Sequence, residues 1–104
     1  MRKQITTAAL LGAAILAFQA PVQAQDLSKT RYLAANCANC HGTNGQSVGE
    51  IASLAGYDKG RFISTMAEFR SGKRPATIMH QLSKGYSDQQ IADLAAYFAA
   101  QPKK

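Results

Sequence analysis

The sequence predicts an all-α fold, three main helices plus a short turn of helix, on three grounds. Apolar residues recur at spacings of three and four in segments opened by cap-forming side chains and closed by glycine or proline. No two stretches alternate apolar and polar residues as paired strands do. The chain has 104 residues and no tryptophan, so its apolar side chains are too few to fill the space between three helices unaided.

The N-terminus reads as an address. Arg2 and Lys3 make a charged start, residues 8–18 form an apolar run, and Val22-Gln23-Ala24 supplies the small residues a signal peptidase requires. An uncleaved anchor is the competing reading, but the run is shorter than the roughly 20 residues that span a bilayer. Residues 1–24 are therefore expected to be a cleaved signal peptide. What remains is one domain, residues 25–104, with no membrane span and a periplasmic location.

In that domain residues 26–36 form the first expected helix, capped by Asp26 or Ser28, with Leu33 and Cys37 on one face. Residues 42–56 are rich in glycine, serine and asparagine and read as a loop. A loop of that length in so small a domain is suspect unless it wraps something. Asp58 caps the second helix, which carries Phe62, Met66 and Phe69 at i, i+4 and i+7 and stops at Gly72. Residues 75–84 start extended and hold a short helical turn before Gly85. Ser87 opens the last helix, with Gln90 three residues on as a capping box. Ile91, Leu94, Ala95 and Phe98 line one face of that helix, and Pro102 marks its end.

A domain of roughly 80 residues needs a staple such as a disulfide, a metal or a cofactor. Cys37-Ala38-Asn39-Cys40-His41 provides one: Cys-x-x-Cys-His is the pattern of covalent c-type haem attachment. Two thiols one helical turn apart add to the two vinyl groups of the haem, and the histidine that follows supplies an axial nitrogen. The haem, one and covalently attached, would also be the missing core. Three other chemistries use such residues. A redox dithiol needs a βαβ setting that this chain lacks. Zinc would need Cys37, Cys40, His41 and His80, which have no finger-like spacing. A bridge between Cys37 and Cys40 closes too small a loop to restrain the chain.

A thioether sulfur opposite histidine suits electron transfer, because it raises the potential. Met79 follows an extended stretch able to deliver a side chain to the iron. It ranks ahead of His80, which reads as an exposed surface histidine, and of Met66, which sits at a core spacing. Ile51, Leu54, Phe62, Ile63, Met66, Phe69, Ile78, Leu82 and Leu94 are expected to line a dry pocket.

With these residues in hand, the chain resembles a small class I cytochrome c. It is similar to single-haem domains of the cytochrome c4/c553 kind and to the cytochrome subunit of flavocytochrome c sulfide dehydrogenases. The matching pieces are Asn39-Cys40-His41-Gly42, Ser53-Leu54-Ala55-Gly56, Phe69-Arg70-Ser71-Gly72-Lys73-Arg74, Ile78-Met79, Lys84-Gly85-Tyr86-Ser87-Asp88 and Ile91-Ala92-Asp93-Leu94-Ala95-Ala96-Tyr97-Phe98. The resemblance implies thioethers at Cys37 and Cys40 and axial ligands at His41 and Met79. It also implies crossed first and last helices, with Tyr97 or Phe98 near the attachment helix. Relatives often carry proline where Ala52 stands. The carbonyl there is expected to accept a hydrogen bond from the histidine ligand.

The function expected is single-electron transfer between redox partner proteins, not enzymatic turnover, since no paired carboxylates or activated nucleophile stand out. The alternative is the haem subunit of a sulfide-oxidising complex, whose flavoprotein partner would perform the two-electron chemistry. A ligand-binding or peroxidatic haem protein would need an open sixth position. The formal charge of +6 suggests either a solvated face or a docking surface for an acidic partner. An exported chain without interleaved aromatic and basic residues is not expected to bind nucleic acid.

Overall fold

The computed structural model describes Gly12 and residues 27–104; the rest of the expected signal peptide and its cleavage point lie outside the described residues. Four α-helices follow one another: α1 Leu27–His41, α2 Lys59–Ser71, α3 Met79–Ser83 and α4 Asp88–Ala99, with a 3-10 turn at Thr43–Gly45. No strand occurs among the described residues, and no described helix is long and apolar enough to cross a membrane.

α1 runs five residues beyond the expected 26–36 and takes in the whole Cys-x-x-Cys-His motif. Nothing from Cys37 to His41 breaks a helix, whereas Gly42 does. Its φ of 87° leaves the right-handed region, and its N–H closes the last turn on the Ala38 carbonyl at 3.1 Å. Of the expected caps, Asp26 lies outside the described residues and Ser28 falls inside the helix. The buried stripe is Thr30 and Ala34, continued by half-buried Leu33 and Cys37, a spacing of one helix face.

α2 begins and ends on chemical stops. The Asp58 carboxylate accepts from Arg61 N–H at 2.9 Å, and Gly72 takes the left-handed conformation just past the end. At Ser87 both bonds of the capping box form, Gln90 N–H to Ser87 Oγ at 3.1 Å and Ser87 N–H to Gln90 Oε1 at 2.9 Å. α4 ends at Ala99, three residues before Pro102.

α4 is the spine of the core. It packs against α1 and α2, and α2 packs against α3. Leu94, Ala95 and Phe98 are fully buried with Ala34, Phe62, Met66 and Ile91 around them. Phe98 stacks on Phe62 with centroids 5.8 Å apart and meets Tyr97 edge to face at 5.2 Å. The first and last helices thus pack together, as the expected crossing requires. Tyr97 Oη also reaches Asn44 Oδ1 at 3.0 Å, just beyond the motif.

The segment 42–56 is folded onto this core. The buried Gly45 accepts through its carbonyl from Leu54 N–H at 2.8 Å and Ala55 N–H at 3.0 Å, and Gly56 N–H donates to Phe98 O at 2.8 Å. These bonds fix the far arm of the loop, which carries Ala52, over the end of α1.

Candidate haem-attachment site

Because α1 continues through the motif, Cys37 and Cys40 lie one turn apart on the same helix. Both are free thiols, Cys37 half-buried and Cys40 exposed. Cys37 packs against the core, and burial pushes its thiol up from the ordinary range. A neutral sulfur suits that place.

His41 closes the helix. Its Nδ1 lies 2.6 Å from the Ala52 carbonyl oxygen. A carbonyl only accepts, so Nδ1 carries the proton, and in the neutral ring Nε2 is the nitrogen with the lone pair. This is the tautomer that a metal-ligating histidine needs, held by the bond expected at Ala52 despite the missing proline.

Met79 opens α3, half-buried against the core, while Met66 is buried within it. His80 corrects the expectation of an exposed surface histidine. It is half-buried, its Nε2–H donates to Arg74 O at 2.5 Å, and its ring lies 6.4 Å from that of Phe69. Among the described residues no three His, Cys, Asp or Glu side chains gather as a metal ion requires. The zinc set of Cys37, Cys40, His41 and His80 is thus not assembled.

The expected pocket lining divides into two groups. Phe62, Met66 and Leu94 are buried, and Leu54 and Phe69 are half-buried against them. Ile51, Ile63, Ile78 and Leu82 are instead exposed in the polypeptide, from 39% at Ile63 to 56% at Ile78. Three of them adjoin candidate ligands or their partners along the chain. Ile51 precedes the Ala52 that holds His41, Ile78 precedes Met79, and Leu82 follows Met79 by one turn of α3. Two thiols on successive turns of one helix, followed by a histidine whose Nδ1 is engaged, fit covalently held haem by the chemistry of the donor set. The sequence does not disclose the bond that ties Arg74 and His80 together, because one partner is a main-chain carbonyl that no residue type announces.

The scattered cations also partly converge. Arg61, Lys103 and Lys104 line a groove of about 780 Å³ together with Asp58 and with Ala38 and Gly42, the last two flanking the second half of the motif. Arg61 lies over the Tyr57 ring at 5.5 Å.

Comparison with known proteins agrees with this geometry. The Cytochrome c family model matches residues 26–101. The cytochrome subunit of sulfide dehydrogenase of Chlorobaculum tepidum is 35% identical over 77 residues, covering 74% of this chain and 70% of that protein. Cytochrome c4 of Pseudomonas aeruginosa is 38% identical over 79 residues, 75% of this chain and 39% of that protein. Cytochrome c-554(548) of Halomonas halodenitrificans is 38% identical over 69 residues, 62% of this chain and 83% of that protein. The chain thus spans most of two of these relatives and well under half of the third. A match over nearly every described residue, on a helical fold that ends its first helix in Cys-x-x-Cys-His, leaves one assignment: the chain belongs to the cytochrome c family, electron-transfer proteins that carry covalently bound haem c.

Proposed function

We propose that the haem is held through thioethers at Cys37 and Cys40, with His41 Nε2 and Met79 Sδ as axial ligands, and that the protein is an exported single-haem carrier in the periplasm. The haem supplies reversible one-electron chemistry when bound. The observation that carries the reading is the His41–Ala52 bond, which fixes both tautomer and ring orientation. The engagement of His80 Nε2 by Arg74 O supports Met79 over its neighbour. Ile51, Ile63, Ile78 and Leu82 would exclude water from the iron. Low dielectric and a methionine ligand both favour the ferrous state. The groove of Arg61, Lys103 and Lys104 favours an acidic redox partner.

The test is an absorption spectrum, oxidised and reduced, of protein from a host that attaches haem c. A low-spin c-type spectrum with the weak long-wavelength band of sulfur on ferric iron is expected. Met79→Ala should abolish that band and let the ferrous protein bind carbon monoxide. A band that survives the substitution would move the sixth ligand to Met66, and its absence from the unsubstituted protein would refute methionine ligation.

A second reading, the haem subunit of a sulfide-oxidising flavoenzyme, is favoured by the similarity to the Chlorobaculum tepidum subunit over 70% of its length. Purification at native abundance discriminates. A tightly associated flavoprotein supports the subunit, and a free monomer supports the diffusible carrier.

A further inference from the structure

We propose that His80 is a positioning residue for Met79: the bond from its Nε2–H to the Arg74 carbonyl clasps the segment between them and holds the thioether on the iron. This rests on the reading of Met79 as the sixth ligand and goes beyond it to what keeps that ligand bound.

The segment needs such a clasp. Residues 75–78 are irregular, and all but Ala76 are exposed. Among the described residues, 75–77 make no hydrogen bond of their own, and the next backbone bonds in the chain are those of α3 to the Ile78 carbonyl. α3 itself has five residues and no side-chain cap, too short to be stable alone. Met79 is its first residue, half-buried against the core on a helix that packs on α2, and a closed segment keeps it in that place. The His80–Arg74 bond at 2.5 Å closes it.

The near end of the clasp is anchored on α2. Arg74 Nε pairs with Glu68 Oε2 at 2.9 Å, Arg74 N–H reaches the Glu68 carbonyl at 3.3 Å, and the guanidinium lies 5.8 Å from the centre of the Phe69 ring. Phe69 also neighbours the His80 ring, so one side chain of α2 lies against both ends. A ligand held this way leaves the iron only when the segment opens, and any external ligand must wait for that opening.

The test is the rate at which imidazole binds the ferric holoprotein, which reads the open population, alongside the global denaturant midpoint. His80→Phe keeps a ring against Phe69 but removes the donor. It should raise the imidazole rate about five- to tenfold, the effect of losing one net hydrogen bond, and weaken the long-wavelength band. His80→Gln keeps an N–H donor and should return the rate to within about twofold of the unsubstituted protein, a rescue that a packing role would not give. Glu68→Ala, which loosens only the anchor, should raise the rate by a smaller factor and serves if His80→Phe yields no holoprotein. Lowered global stability with an unchanged imidazole rate in His80→Phe and Glu68→Ala would overturn the clasp. Met79→Ala separates the two claims. If it leaves the band intact, the ligand reading fails and the clasp with it. If it removes the band while His80→Phe binds imidazole at the original rate, the clasp alone fails.

Discussion

His41 and Ala52, at the end of α1 and on the far arm of the 42–56 loop, are joined by a 2.6 Å hydrogen bond from the imidazole Nδ1–H to the alanine carbonyl. The loop therefore orients the histidine through its main chain, and the Ala52 side chain takes no part. Ala52→Pro keeps the carbonyl, and no backbone bond from Ala52 N–H occurs among the described residues. Proline there should leave the spectrum unchanged and add about 0.4–1 kcal/mol by restricting the unfolded chain. Denaturant titration of the two holoproteins checks this. A loss of stability would mean that the backbone at Ala52 is not one proline can adopt.

The carrier of that loop is Gly45. Its φ is 76°, and a Cβ there would stand 2.8 Å from Ala55 N and from Phe98 Cδ1. Gly45→Ala combines a left-handed backbone penalty of about 1–2 kcal/mol with an overpacking penalty of about 1–3 kcal/mol. The melting temperature should fall by roughly 10–30 °C for a domain of this size. Gly72→Ala is the control. Its φ is 79° but nothing lies within 4 Å of the added carbon, so only the backbone penalty of about 1–2 kcal/mol applies. Equal losses at the two positions would show that the close approach of Phe98 does not matter.

These sites mark where the sequence was legible. Both ends of α2 could be read because Asp58 and Gly72 stop a helix by their own chemistry. Ser87 and Gln90 announced α4 in the same way. The periodicity ends α1 at Asn36, five residues early, because Cys37–His41 contains nothing that prefers or breaks a helix and only Gly42 decides. The role of Gly45 was hidden among the glycines of its loop, since which one must be left-handed depends on Phe98 arriving from α4. Ile63 and Met66 look alike as apolar residues of α2, yet one is exposed and the other buried, because only the turn of the helix toward α4 separates them. The half-buried setting of His80 is invisible in the sequence because its partner is a carbonyl.

The two cysteines should not behave alike. Cys40 is exposed, whereas Cys37 is half-buried against the core. In the haem-loaded protein, Cys37→Ala and Cys40→Ala should each leave a single thioether, seen as a shifted pyridine haemochrome band and a lower yield. Cys37→Ala should cost about 1 kcal/mol more, because that side chain packs on the core. Normal covalent loading in Cys40→Ala would refute attachment there.

The junction between α2 and α4 makes a last test of which contact matters. Arg70, at the end of α2, donates through Nη2 to the Tyr86 carbonyl at 2.6 Å and through Nη1 to Asp88 Oδ1 at 2.7 Å. The two bonds look equivalent by distance but not by setting. Asp88 is 93% exposed, so water and salt screen the ion pair, and such pairs contribute about 0–1 kcal/mol. The carbonyl bond is partly buried, and a charged donor there is worth about 1.5–3 kcal/mol. Arg70→Ala should therefore destabilise the holoprotein by about 1.5–3 kcal/mol, and Asp88→Ala by no more than about 1 kcal/mol. The Asp88 loss should shrink in high salt while most of the Arg70 loss persists. Arg70→Lys should recover only part, because one ammonium cannot hold the fork that meets both acceptors. Denaturant midpoints of the three variants at low and high salt decide the matter. Equal losses from Arg70→Ala and Asp88→Ala, both removed by salt, would assign the junction to the ion pair and leave the Tyr86 carbonyl no role.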